Sequence, residues 1–143
     1  MARIKIEIPE KFIFKIEIPI RITDINYGGH LGNDSLLSII HEARVRFLNH
    51  LDYSESNVEG NGIIMIDSVI QYKSEGFYGD ELIVEVAVNE FSSIGCDFVY
   101  RIINKNTLKE ISLAKTGIVF FNYEKRKTVA VPAEFKKKIE EMN

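Results

Sequence analysis

The chain has 143 residues, a length that suits one domain with a substantial core, and 18 basic against 21 acidic residues leave a formal net charge of −3. That balance points away from nucleic acid, whose binding face pushes composition basic. Cys96 is the single cysteine, so no intrachain disulfide framework can form. No stretch approaches the length of a membrane span, and Met1-Ala2-Arg3-Ile4-Lys5 has neither a long apolar run nor a small-residue cleavage site. The expectation is a cytoplasmic protein with no membrane segment.

Residues 4–8 alternate apolar and charged side chains and read as a short strand turned by Pro9-Glu10-Lys11. Phe12, Phe14, Ile16, Ile18, Ile20 and Ile22 then repeat with a period of two, the mark of a strand with one buried face. Pro19 removes a ladder donor and places that strand at an edge or a bulge. Lys5-Ile6-Glu7-Ile8-Pro9 recurs as Lys15-Ile16-Glu17-Ile18-Pro19, an echo too short for a repeat fold. From residue 33 the period becomes helical, with Leu36, Leu37, Ile40, Ala43, Phe47, Leu48 and Leu51 on one face and Asn33 or Asp34 as cap. Gly60-Asn61-Gly62 is a loop, and four strand-like runs follow at 63–73, 81–90, 96–104 and 108–123. Tyr78-Gly79-Asp80 and Ser92-Ser93-Ile94-Gly95 serve as turns. Pro132 opens a terminal helix over 133–142 that docks through Phe135 and Ile139. One long helix among antiparallel strands implies an α+β layer with the helix across one sheet face.

The densest polar cluster is Thr23-Asp24-Ile25-Asn26-Tyr27-Gly28-Gly29-His30-Leu31-Gly32-Asn33, leading into a helix that carries His41-Glu42-Ala43-Arg44. Such a strand-to-helix junction can aim backbone N–H groups and side chains at a bound carbonyl. Other candidates carry less chemistry. Cys96 has no base beside it and reads as a buried inert thiol. His30, His41 and His50 lack the spacing of a helical zinc motif, so no metal is expected. Tyr27-Gly28-Gly29 is not followed by the Gly-Lys-Ser/Thr of a phosphate loop. Lys125-Arg126-Lys127 is a short basic run, either a solvated turn or a contact for phosphates.

The junction resembles the hotdog-fold acyl-CoA thioesterases of the 4-hydroxybenzoyl-CoA thioesterase type. Many of them read T-D-x-D-x-x-G-H-V-N-N-x-x-Y-L before a helix containing E-A-R. The spacing from Thr23 through Leu37 to Glu42-Ala43-Arg44 matches without a gap. Gln71-Tyr72-Lys73, Tyr78-Gly79-Asp80-Glu81-Leu82 and the segment from Phe120-Phe121-Asn122-Tyr123 to Val131-Pro132 extend the likeness. Two positions depart from it. The second Asp of T-D-x-D, the family's usual catalytic carboxylate, is Asn26, and the first Asn of N-N is Gly32.

The resemblance implies a single hotdog domain over residues 1–143, its curved antiparallel sheet of five or six strands wrapped around the long helix. It implies hydrolysis of an acyl-CoA thioester to a free acid and coenzyme A, with no cofactor beyond the coenzyme A of the substrate. It also implies a homodimer with a shared sheet, with pairs of dimers common. Carried onto this chain, the catalytic candidates are Asn26, Asp24, His30 and Glu42. Gly29, Gly32, Asn33 and Asp34 are the candidates for oxyanion N–H groups and close backbone approach.

Each candidate also has a structural alternative. Asn26 can hydrogen-bond the thioester or its own backbone turn. Asp24 can act directly or cap local N–H groups, and along a strand it would share a face with Asn26. His30 can polarise water or fix the loop. Glu42 lies off the apolar helix face and four residues before Arg46, a spacing that suits a surface ion pair. The alternatives to hydrolysis are an enoyl-CoA hydratase or dehydratase of the same fold and a non-catalytic acyl-CoA or acyl-carrier binding module. The hydratase pattern D-x-N-P-x-H is met only in part, because His30 falls one residue late and the Pro is missing.

Overall fold

The computed structural model describes residues Met1–Asn143. Its strands are β1 (Phe14–Pro19), β2 (Gly62–Tyr72), β3 (Glu81–Asn89), β4 (Gly95–Asn104), β5 (Glu110–Asn122) and the two-residue β6 (Lys127–Thr128). Its α-helices are α1 (Asn33–His50) and α2 (Ala133–Met142). The strands form one antiparallel sheet in the order β1-β3-β4-β5-β2, with β6 added to the end of β5. This is the α+β arrangement expected from the change of hydrophobic period.

The sheet has two unlike faces because its side chains alternate. Leu82, Val84, Val86 and Val88 of β3 join Phe98, Tyr100 and Ile102 of β4 on the inner face. α1 lays Leu36, Ile39, Ile40, Ala43, Phe47 and Leu48 against them, all buried. Phe47 sits at the centre, 5.4 Å from the Phe14 ring and edge-on to Phe98 at 5.8 Å. α2 closes one end through Phe135, whose ring lies 5.4 Å from Phe120.

α1 stops in a Schellman motif. The Tyr53 N–H bonds the Leu48 carbonyl and the Asp52 N–H bonds the Asn49 carbonyl, with Asp52 in the left-handed region at φ 64°. That exit buries Tyr53 and sets Glu55 beside the middle of α1. No helix is long and apolar enough to cross a membrane.

Three expectations are corrected. The run 12–22 is a strand only over Phe14–Pro19, and Ile22–Asp24 form a 3-10 turn in which Asp24 Oδ2 accepts the Arg21 N–H at 2.9 Å. Residues 4–8 join no ladder, and β3 pairs with β1 and β4. They cross the outer face instead, where Ile6 is buried against Ala87, Val99 and Leu113, and the Ile4 carbonyl accepts the Gln71 amide. Neither Asn33 nor Asp34 caps α1: the cap residue is Gly32, with no side-chain bond, and both side chains belong to the first turn. Pro19 does end an edge strand, since β1 pairs only with β3.

The other edge is β2. It is 11 residues long and pairs only with β5. Its register shifts between Met65 and Asp67, which turns Ile66 outward to 62% exposure. Tyr72 at its end and Leu37 on the adjoining helix are also exposed.

Candidate active site

Residues 25–31 form a tight excursion before α1. The Asn26 N–H bonds the His30 carbonyl at 2.9 Å, the Gly29 N–H returns to the Asn26 carbonyl at 3.1 Å, and Ile25 bridges to Leu31. Gly29 takes φ +83°, a conformation that side-chain-bearing residues rarely adopt. Asn26 Oδ1 accepts the Gly28 N–H at 2.9 Å, an Asx turn, and its Nδ2 group has no protein partner. The Leu31 N–H bonds the Gly76 carbonyl at 2.8 Å and so ties the excursion to the segment that follows β2.

A cavity of about 450 Å³ opens at this junction, lined by Asn26, Tyr27, His30, Asn33 and Leu36 on one side and by Tyr72, Lys73, Ser74, Glu75 and Ile111 on the other. The start of α1 forms part of its wall. The N–H groups of Asn33, Asp34 and Ser35 have no carbonyl to bond within the helix and sit at the positive end of its dipole. His30 Nδ1 lies 3.3 Å from the Leu31 carbonyl, so the tautomer with hydrogen on Nδ1 donates there and leaves Nε2 as an acceptor. The cavity therefore joins amide donors, an imidazole and a helix terminus around a space large enough for an acyl thioester.

The structure separates the remaining candidates. Asp24 is 4% exposed and does not line the cavity. Its carboxylate takes the Arg21 N–H and guanidinium, and its carbonyl takes the Gly32 N–H at 2.9 Å. Because the segment is a 3-10 turn and not a strand, Asp24 and Asn26 do not share a face. The N–H groups of Gly29 and Gly32 are both consumed within the junction, while those of Asn33 and Asp34 are left over by the helix. Glu42 lies outside the cavity and accepts from Arg46 Nε at 2.7 Å. Lys125 to Lys127 also lie away from it. Cys96 is buried, and loss of solvation, with Asp97 adding to it, pushes its thiol up to about 12.

Reasoning from residue types missed Ser74 and Glu75, which reach the cavity only through the fold of the β2 exit. It also missed a polar chain inside the protein. Arg44 is 6% exposed, donates from Nε to Glu55 Oε2 at 2.8 Å and from Nη1 to the Tyr100 hydroxyl at 3.2 Å. Tyr100 pairs with Thr116 at 2.9 Å, and Glu55 Oε1 lies 2.6 Å from His41 Nε2. Burial alone would raise the Glu55 carboxyl, but hydrogen bonds from Arg44 and His41 outweigh it and hold Glu55 below its ordinary range. A signal for this chain was present: Arg44 stands four residues from both Ile40 and Leu48, on the apolar face of the helix.

Comparison with known proteins agrees with the architecture. The 1,4-dihydroxy-2-naphthoyl-CoA thioesterase Slr0204 from Synechocystis superposes with a TM-score of 0.80 at 21% identity, over 88% of this chain and 94% of that one. The DHNA-CoA thioesterase from Staphylococcus aureus gives 0.76 at 20% identity, over 88% and 85%. A sequence comparison with curated proteins finds no match. A sequence model described as the thioesterase-like superfamily matches residues 20–139. That match takes in the junction, α1, strands β2 to β6 and most of α2, and the shared architecture is the hotdog fold, so the chain belongs to the thioesterase-like superfamily.

Proposed function

We propose that this protein hydrolyses an acyl-CoA thioester to a free acid and coenzyme A. The observation that carries the reading is the cavity whose wall joins the start of α1 at Asn33, with its unpaired N–H, to the free amide of Asn26 and the imidazole of His30. In acyl transfer the carbonyl oxygen gains negative charge in the transition state, and fixed N–H donors at a helix N-terminus stabilise it there. Lys73 at the cavity rim supplies a cation for the phosphates of the carrier. The two solved thioesterases of similar architecture, both named for a CoA ester, support the same substrate class.

The working unit in this reading is a homodimer. β2 leaves one side of an 11-residue strand without a ladder partner, flanked by exposed Ile66, Tyr72 and Leu37. A second copy of the same strand, laid antiparallel, satisfies both rows of N–H and C=O groups at once and closes the assembly by two-fold symmetry. The reduced single cysteine and the lack of an apolar spanning helix fit a cytoplasmic enzyme.

The test is thiol release from purified protein across short, medium, long and aromatic acyl-CoAs. Steady release above blank from at least one class is the expected result, and none from any class overturns the reading. Acyl-CoA binding by calorimetry without turnover would favour a binding module, a reading to which Asn26 in place of a carboxylate gives some ground.

A further inference from the structure

The cavity beside Asn26 contains no carboxylate at the position where the resemblance expects a base. Within the same subunit its proton acceptors are His30, whose ring has no carboxylate behind it, and the exposed Glu75. A better equipped imidazole lies elsewhere. His41 donates through Nε2–H to Glu55 Oε1 at 2.6 Å, which fixes the tautomer and leaves Nδ1 with a free lone pair. Glu55 is held in turn by Arg44, itself anchored on Tyr100 in the core. The ring is 56% exposed at its outer end, although the chain of bonds behind it reaches a fully buried side chain.

His41 cannot serve the cavity of its own subunit. It stands eight residues along α1 from Asn33, about 12 Å at the helical rise, and it lines a second cavity of about 460 Å³ with Glu55, Ile63, Ile64 and Met65. The first cavity touches the Tyr72 end of β2, and the second touches the Ile63 end. Antiparallel overlap of two β2 strands along their full length sets Tyr72 of one copy against the partner's Gly62. The Asn26 cavity of each subunit then adjoins the second cavity of the other.

We infer that the partner's His41 is the general base of each site, positioned by the partner's Glu55. This inference rests on the thioesterase reading and names the residue that arms it. Water places its oxygen on the thioester carbonyl carbon and gives its proton to Nδ1 of the partner's His41, while the oxyanion is held at the start of α1. Collapse of the tetrahedral species breaks the C–S bond. The imidazolium returns the proton to the departing sulfur, so the products are the free acid and the coenzyme A thiol.

Subunit mixing tests this. His41→Ala leaves the Asn26 cavity open, and Asn33→Trp fills that cavity from an exposed position while sparing His41. Each variant alone is expected to lose roughly tenfold or more in kcat. Refolded together, half of the dimers are mixed and each contains one complete site, so about a quarter of the wild-type rate returns. If His41 acted within its own subunit, both sites of a mixed dimer would be broken and no rate would return. That result overturns the inference, as does full activity in His41→Ala.

A second measurement does not depend on turnover. A benzoylphenylalanine photo-cross-linker in place of Tyr27 should give a dimer-sized adduct to the peptide bearing the partner's His41 or to the partner's 55–65 segment. Adducts confined to one chain, or to another surface, overturn the juxtaposition. Formation of the dimer-sized adduct by the cross-linker variant, together with no thiol release from the wild-type protein, overturns hydrolysis, and with it the base role, while leaving the placement intact.

Discussion

Replacing Arg44 with Met tests what holds Glu55 in place. Methionine keeps most of the apolar stem and removes the guanidinium, so Glu55 keeps only His41 as partner and the Tyr100 hydroxyl keeps Thr116. Breaking a buried ion pair from one side costs about 3–5 kcal/mol. Glu55 is 29% exposed and retains one hydrogen bond, so solvent screening brings the expected loss to about 2 kcal/mol at pH 7. In urea that is a midpoint shift of about 1 M, measured at one fixed protein concentration because a dimer's stability depends on it.

The loss should depend on pH in a definite direction. The Glu55 carboxyl is depressed in the folded state relative to its ordinary value of 4.5. Its contribution is therefore fully present above that value and disappears as pH falls through the lower folded value. The gap between wild type and Arg44→Met should be constant from pH 7 to pH 5 and narrow as pH falls below the ordinary value of 4.5. A loss under about 0.5 kcal/mol, or a gap that is the same at pH 3 as at pH 7, would falsify the claim that a charged Arg44–Glu55 pair supports this region.

Three other outcomes are expected. Asn26→Asp keeps the acceptor for the Gly28 N–H and adds a carboxylate at the cavity, so it should restore turnover to His41→Ala by roughly tenfold or more; no gain in the double variant would show that the side chain at 26 does not face the reacting carbonyl. Deletion of residues 1–11 uncovers Ala87, Val99 and Leu113, so light scattering should show larger assemblies, with stability lower by about 2 kcal/mol for the lost burial of Ile6; unchanged mass and midpoint would mean that the segment does not shield the face. Cys96, pushed up to about 12 and buried, should resist iodoacetamide at pH 8 in native protein and react in urea. Rapid native alkylation would contradict its burial.

Much of the fold was legible because period is a local property. The alternation in 81–90 and the three-four spacing from Leu36 to Leu48 require only the sequence, and β3 and α1 appear where those patterns stand. The junction was also legible as a place, since its glycines and short polar residues favour tight turns over a regular strand or helix. The roles within it were less so. Asp24 and Asn26 are two residues apart, yet one is closed off by Arg21 and the other lines the cavity, because a 3-10 turn replaces the strand that spacing alone suggests. Glu55 carried no local signal at all. Its importance comes from the Schellman exit of α1, which folds residue 55 back beside residues 41 and 44.

The sharpest contrast is between two identical pentapeptides. Lys-Ile-Glu-Ile-Pro occurs at 5–9 and at 15–19 with the same propensities and the same alternation. The second copy becomes β1, hydrogen-bonded along β3, and the first lies across the outer face with no ladder. By itself the sequence determined that both segments alternate apolar and charged side chains, and each buries one isoleucine, Ile6 in the first and Ile18 in the second. Only the tertiary structure decided which one pairs, because β3 has a single free edge and the outer face presents a separate apolar surface. The same holds at the candidate active site: local pattern placed the helix terminus and its free N–H groups, whereas the cavity opposite them was created by long-range packing of the β2 exit against the junction.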